Sequence, residues 1–555
     1  MIEEKLISLL LGDESLQSPS FYEMNYPSRQ IVVTRFAPSP TGFVHLGSLY
    51  TALINTLTAH QNNGVFFLRI EDTDTERSTL DALKLIIAAL DRFRLRPDEG
   101  VVGFEQGATI EKGNYGPYVQ SKRKNIYHTF VAELLRKGLA YPCFMTNEDL
   151  NQIRQQQKLT KQRPGCYGPW AKWRNATAEQ IYQQLDQQHS FVIRLKSPGK
   201  YAQRIKWQDL IKGEINTPEN DIDIVLLKSD GLPTYHLAHV IDDHLMRVTH
   251  VIRADEWLPS VPLHLQLFGL LGWQPPAYAH IAPIEKIDES SGYSSRRKLS
   301  KRKDIEANID FYLEKGFTEN AIIEYLMNIM DSSFEEWRKK NPSESLQNFK
   351  FSIADLSAHG ALSDIGKLTN INRMVITKMD IETLYHQGLS WAKQWDQELA
   401  DYMEKFPQET KAALNIEREG GKISKRISMW SDLKNQLFFV YDELFNKYRK
   451  FYLPEQITDA DLHLLIPEFI QGYDIQWDKM TWLEFIKQIS VKHGYAASVS
   501  DYKKNPQAYK GHFGDVAMLL RLAVCGTPHS PDLWEVMRVL GYQRVVQRLE
   551  QAAAA

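Results

Sequence analysis

Cysteine, net charge and long apolar runs are all scarce in this 555-residue chain. Three cysteines with no CxxC pair exclude a disulfide framework and a paired-thiolate zinc site, and they fit a reducing, cytoplasmic setting. Nowhere do roughly 18 consecutive apolar residues occur, so no membrane-spanning helix is expected. The N-terminus, MIEEKLISLLLGDE, carries acidic residues where a secretory leader needs basic ones, so no signal peptide is expected. With 66 Lys+Arg against 69 Asp+Glu the net charge is −3, which excludes a basic coat but leaves room for a local basic stripe. No P-loop (GxxxxGK followed by Ser or Thr) occurs, and no GxGxxG follows the first strand, so neither nucleotide fingerprint applies.

A hydrophobic fraction of 43% provides for real cores and excludes global disorder. At roughly 100–200 residues per domain, the length suggests about three to five domains. Residues 31–36 (IVVTRF) read as a buried strand closed by the breaker-rich turn Ala37-Pro38-Ser39-Pro40-Thr41-Gly42. A helix follows from about His45, then a buried strand at 65–70 and a capped amphipathic helix at 78–95. This strand–helix alternation predicts the start of a doubly wound nucleotide-binding sheet. Residues 105–230 look like a mixed insertion. Strands return at 223–228 and 246–252, consistent with re-entry into the first sheet, and helical periodicity dominates beyond about 320.

Two segments carry phosphate chemistry. The turn after the first strand sets free N–H groups and a positive helix end at the carboxyl edge of the sheet, where a phosphate sits well. There, a His followed closely by Gly (His45, Gly47) lets phosphate approach the backbone while imidazole donates to it; His45 as a simple helix cap is the plainer reading. The run Arg296-Arg297-Lys298-Leu299-Ser300-Lys301-Arg302-Lys303 holds six cations in eight residues, a density that calls for anions.

Together these stretches resemble a known family. Pro38-Ser39-Pro40-Thr41-Gly42-Phe43-Val44-His45-Leu46-Gly47 resembles the HIGH-type motif of class I aminoacyl-tRNA synthetases, and Lys298-Leu299-Ser300-Lys301-Arg302 resembles their KMSKS loop. The APSPTG wording, Arg35 before it and Arg69-Ile70-Glu71-Asp72-Thr73-Asp74 after it, look like glutamyl-tRNA synthetase, as do 115–123, 229–246, 249–258 and 514–537. A second KMSKS-like run, Lys422-Ile423-Ser424-Lys425-Arg426, lies deep in the helical half and reads as a basic patch at a helix entry. Glutaminyl-tRNA synthetase, whose turn usually reads Pro-Pro-Glu-Pro-Asn, fits this turn less well. The truncated enzyme that glutamylates a modified tRNA base lacks a helical half. An inactive RNA-binding relative would not need His45, Lys301, Arg35 and Glu71.

The resemblance implies a Rossmann-type parallel-sheet α/β catalytic domain, an inserted acceptor-stem-binding α+β domain, and an all-α C-terminal anticodon-binding region. The expected boundaries are an N-terminal extension at 1–30, the catalytic halves at 31–104 and 223–320, the insertion at 105–222 and the helical region at 321–555. The implied activity is ATP-dependent attachment of L-glutamate to tRNA(Glu), with Mg²⁺ accompanying ATP; charging of tRNA(Gln) as well is left open, and a monomer is expected. Glutamate would be bound by Arg35, Ser39, Glu71, Tyr235 and Arg253, guanidinium groups gripping carboxylates and Glu71 taking the ammonium. ATP would meet His45, Gly47, Glu256, Trp257, Leu258 and Lys301, with His45, Lys298 and Lys301 serving catalysis. Asp74, Lys122 and Arg123 are candidates for tRNA contact.

Two metal-like clusters are discounted. His236, His239, His244 and His250, with Asp242 and Asp243, are read as a strand without helical zinc spacing. Cys143 and Cys166 flank a segment where some relatives carry a zinc knuckle, but Met145 stands at a ligand position, so zinc is not expected. The aromatics Trp430, Phe438, Tyr441, Tyr448 and Tyr452 are read as helix packing rather than base-stacking platforms.

Overall fold

The strand Val33–Phe36 is buried along its whole length and anchors the catalytic sheet. It pairs in parallel with Val65–Leu68, which pairs in parallel with Glu99–Glu105, and Ala108–Lys112 adds an antiparallel edge. On its other side the Thr249 amide donates to the Val33 carbonyl (3.1 Å), joining His250–Ala254 to the sheet, and that strand runs parallel to Ala277–Ile281. Chain order therefore reverses beside Val33–Phe36, which opens a crevice at the carboxyl ends of the strands. The helix Leu46–Gln61 packs against this junction; its buried Asn55 donates to the Ile252 carbonyl (3.2 Å) and accepts from Thr34 through its own carbonyl (2.8 Å). The following helix, Leu80–Arg92, is capped by the Thr79 hydroxyl. The computed structural model describes residues 3–12, 16–74, 79–288, 294–300, 302–418 and 425–554.

Several sequence expectations shift. Residues 225–227 do not re-enter the first sheet: Val225–Leu227 pairs with Val192–Leu195, which pairs with Ala140–Cys143, in a sheet of the inserted region. The hairpin of Arg204–Asp209 and Gly213–Pro218 leaves the insertion instead and extends the catalytic sheet through Asp209 opposite Tyr278. Hydrophobic pattern marks a segment as strand but does not name its partner, which explains both differences. The returning strand lies at His250–Ala254 rather than 246–252, because Tyr235–Leu245 is a helix that must end first. The histidine-rich stretch read as a strand is thus mostly that helix.

The chain divides into two compact units, one of residues 1–311 and 323–363, the other of 312–322 and 364–555. Around the expected break at 321 the chain interleaves: 312–322 group with the helical unit, while the strand Ala361–Leu362 pairs with Ile284–Asp288 and 323–363 group with the catalytic one. The second unit is helical around one core that includes Leu384, Leu433, Ile466, Leu519 and Val536. Trp430, Phe438 and Tyr441 are buried in that core, as packing residues; Tyr448 and Tyr452 are exposed. Among the described residues no helix is long and apolar enough to cross a membrane.

Candidate active site

A cleft of about 1210 Å³ opens at the crevice where chain order reverses. Arg35 and Glu71 reach it because each stands at or just past the carboxyl end of a parallel strand. Ser39 and Thr41 come from the turn, His45 and Gly47 from the start of the following helix, Tyr235 from a helix start and Arg253 from the returning strand. All five residues expected to bind glutamate therefore line one cavity. The turn is shaped by Pro40, whose carbonyl accepts from Thr79, and by Gly42 at φ 121°, a conformation that favours glycine. Neither Pro40 nor Gly42 lines the cleft.

His45 caps the helix Leu46–Gln61: its Nδ1 accepts from the Gly47 amide at 2.8 Å, which leaves Nε2 as the donor of the neutral ring. The capping and phosphate-binding readings of His45 are thus compatible. A Cβ on Gly47 would stand 3.0 Å from that ring, so glycine keeps the helix entrance open. His45 also bridges to Asn308, and the Ile309 amide donates to the Val44 carbonyl (3.2 Å). These contacts hold the turn against the segment that follows the basic loop.

The basic loop is less free than its composition suggests. Ser295–Lys298 forms a hairpin with Ile284–Asp288, and Leu299 is buried. Arg297 is tied to Asp288 (2.6 Å) and Asp304 (2.7 Å), so its charge is neutralised within the loop. The Arg297 guanidinium holds the Asp304 carboxyl well below the usual carboxylate range. Lys298 pairs with Glu256 across the cleft mouth, and Lys298, Leu299 and Ser300 all line it. Arg302 is exposed; Lys301 and residues 422–424 lie outside the described residues. Glu256 and Trp257 line the cleft, whereas Leu258, on the same turn, does not.

Beneath the cavity lies a buried ionic network of three guanidiniums, Arg35, Arg69 and Arg123, against three carboxylates, Glu71, Asp242 and Asp243. Asp243 accepts from Arg69 (2.6 Å) and Arg35 (3.3 Å), and lies 3.0 Å from His239. Glu71 is bound by Arg69 (3.1 Å) rather than by its cross-sheet neighbour Arg35. Burial pushes the Glu71 carboxyl up, opposed by Arg69 and Arg35. Arg123 is turned inward onto Asp242 (2.7 Å) and the Pro117 carbonyl (2.8 Å). It is 1% exposed, which removes it as a surface contact for RNA phosphates. Lys122 stays half-exposed, and Asp74 lines the cleft.

Arg253 stands apart. It is 5% exposed, yet among the described residues no carboxylate pairs with it. Its Nη1 donates to the Tyr235 hydroxyl (2.9 Å), its Nε to His280 (3.0 Å), and its Nη2 lies 3.3 Å from His264 Nδ1. Burial keeps the neighbouring histidines neutral, pushing His236 down to about 4 and His239 to about 3. Arg253 therefore presents a whole positive charge to the cavity. His264, His280 and Asp209, which build this setting, carry no local sequence signal. Arg69 was visible only as part of a motif.

Among the described residues no group of three His, Cys, Asp or Glu side chains is placed to share a metal ion. Cys143 and Cys166 are buried thiols, and burial pushes the Cys166 thiol up, away from the thiolate that zinc requires.

The family model described as tRNA synthetases class I (E and Q), catalytic domain, matches residues 31–356, and an anticodon binding domain model matches 502–553. The chain is 48% identical to a glutamate–tRNA ligase of Sorangium cellulosum over 98% of this chain and 99% of the relative. It is 43% identical to one of Clostridium perfringens, over 99% of this chain and 100% of that one. A crystal structure of a glutamate tRNA ligase from Elizabethkingia meningosepticum, in complex with its amino acid, superposes with a TM-score of 0.72 at 26% identity, covering 95% of this chain and all of that one. With a nucleotide-type cleft assembled from both motifs and relatives this similar along their whole length, the chain belongs to the glutamate–tRNA ligase family of class I tRNA synthetases.

Proposed function

We propose that this protein charges tRNA(Glu) with L-glutamate through a glutamyl-adenylate, working as a cytoplasmic monomer. The observation that carries the reading is Arg253, a buried guanidinium with no carboxylate partner among the described residues, at the wall of a cavity that also holds Arg35 and Glu71. An uncompensated buried cation is costly unless an anion completes it, and a substrate carboxylate does so bidentately. Glu71, at the same cavity, accepts the substrate ammonium, and the Tyr235 hydroxyl and Ser39 shape the space between.

In the first step a glutamate carboxylate oxygen attacks the α-phosphorus of ATP and pyrophosphate leaves. In the second, the terminal ribose hydroxyl of tRNA attacks the mixed anhydride and AMP leaves. No protein nucleophile is required; orientation and preorganised positive charge supply the rate. Nε2 of His45 and the backbone at Gly47 meet the phosphates, Glu256 and Trp257 border the nucleoside, and Lys298 and Lys301 answer the charge developing on the phosphates. Mg²⁺ would accompany ATP, held mainly by the phosphates and water, and would offset their negative charge. Asp74 and Lys122 stand as contacts for the tRNA.

Side-by-side charging of glutamate and glutamine tRNA transcripts tests the function: glutamylation of tRNA(Glu) supports it, and no glutamylation of either transcript refutes it. Lys301→Ala abolishes ATP–pyrophosphate exchange while Lys425→Ala leaves it nearly intact; the reverse pattern would overturn the choice of basic loop.

A further inference from the structure

Behind Arg253 stands a chain of two wholly buried side chains, Asp209 and His280, that reach it from the rear. Asp209 ends the strand Arg204–Asp209, in the hairpin that leaves the inserted region to extend the catalytic sheet. Its Oδ1 accepts from the amides of Ile211 and Lys212, both at 2.9 Å, which fixes the carboxylate within its own turn. Its Oδ2 lies 2.6 Å from His280 Nδ1 and accepts from the His280 amide at 3.2 Å. The imidazole is held flat by the Tyr278 ring, stacked at 5.9 Å and 11°, and edge-on by Trp207.

These contacts leave His280 one tautomer. An ionised carboxylate only accepts and a guanidinium only donates, so Nδ1 carries the proton toward Asp209 while Nε2 accepts from Arg253 Nε at 3.0 Å. A carboxylate placed directly on Arg253 would hold it as firmly and cancel its charge. A neutral imidazole between the two holds the guanidinium plane and leaves the charge facing the cavity.

We propose that Asp209 and His280 are positioning residues for the substrate carboxylate: Asp209 sets the His280 tautomer, and His280 fixes Arg253 without neutralising it. The proposal rests on the reading of Arg253 as a glutamate-binding residue. The hairpin that supplies Asp209 thereby contributes to amino-acid recognition as well as to the sheet.

Asp209→Asn is the sharpest perturbation, because it keeps the volume while presenting an amide donor to His280 Nδ1. The ring then takes the other tautomer and turns an N–H against the Arg253 Nε–H. In aminoacylation by the full chain, KM for glutamate rises roughly 10–100-fold, by analogy with the cost of losing the hydrogen-bonding partner behind a metal-ligating side chain. KM for ATP and kcat move much less. His280→Phe, which keeps the stacking but removes both nitrogens, gives the same split. In an Arg253→Met background Asp209→Asn adds nothing further. A purely structural role would instead impair kcat and both KM values together and add to the Arg253→Met effect, which would overturn the proposal. A selective rise from Arg253→Met without one from Asp209→Asn would sink the relay alone; no change from Arg253→Met would sink the glutamate-site reading and the relay with it. The unaltered protein supplies an independent readout: ¹⁵N shifts of His280, assigned with His280→Phe, show a protonated Nδ1 and a bare Nε2, and the opposite tautomer would refute the mechanism.

Discussion

Replacing Asp243 by Asn tests the ionic network under the cavity most directly. In the native protein three buried guanidiniums face three buried carboxylates, and Asp243 is shared by Arg35 and Arg69, with His239 beside it. Asn keeps the volume and one acceptor but deletes the charge, leaving Arg35, Arg69 and Arg123 against Glu71 and Asp242 alone. Breaking a buried pair by removing one partner costs about 3–5 kcal/mol, because the remaining charge stays desolvated. At about 2–4 °C per kcal/mol for domains of roughly 150–250 residues, and less for a larger unit, the melting temperature falls on the order of 5–10 °C. Differential scanning calorimetry of the full chain reads the shift. Adding Arg69→Met restores charge balance, so the double variant is less destabilised than the sum of the singles by about 1 kcal/mol or more. A melting temperature for Asp243→Asn within about 1 °C of the parent, or strict additivity with Arg69→Met, would refute the reasoning.

If Glu71 takes the substrate ammonium as proposed, it makes glutamate binding sensitive to pH. Only its ionised form accepts an ammonium, and burial raises its pKa, so KM for glutamate climbs as pH falls, starting above the ordinary carboxylate range; a pH-independent KM down to that range would contradict this role. In the helical unit, Gly316 sits at φ 88°, and a Cβ there would stand 2.4 Å from the Trp430 amide nitrogen that donates to its own carbonyl. Gly316→Ala is therefore destabilising by about 1–3 kcal/mol, seen as a lower thermal transition by circular dichroism, with an unchanged transition counting against it. Metal analysis of the purified protein finds no stoichiometric zinc, since Cys143 and Cys166 are buried thiols with too few partners; stoichiometric zinc would overturn that assignment.

Local chemistry made the two motifs legible. Gly42 is recognisable because its backbone conformation favours glycine and Gly47 because the His45 ring crowds its Cβ position, and the strand, turn and helix around His45 follow from short-range pattern. Buried periodicity likewise identified the helical half and three of its packing aromatics, Trp430, Phe438 and Tyr441, whereas Tyr448 and Tyr452 are exposed. Patterning failed where the partner lay far along the chain. Val225–Leu227 pairs within the inserted region rather than the first sheet, and Arg123, in a run of three cations, turns inward because Asp242, over a hundred residues later, is buried opposite it. The histidine-rich segment is a helix where its pattern suggests a strand, because a short apolar run reads equally well in either form.

By itself, then, the sequence determined the doubly wound beginning, the proline-rich turn after the first strand, the basic loop and the family, each written in residues that stand side by side. Only the tertiary structure decided which charges are spent and which are available. Arg35, Arg69, Arg123 and Arg297 all meet carboxylates, whereas Arg253 meets histidines and a tyrosine and keeps its charge. The physical reason is that a side chain's charge is intrinsic to the residue, but its neutralisation depends on what folding brings within hydrogen-bonding distance.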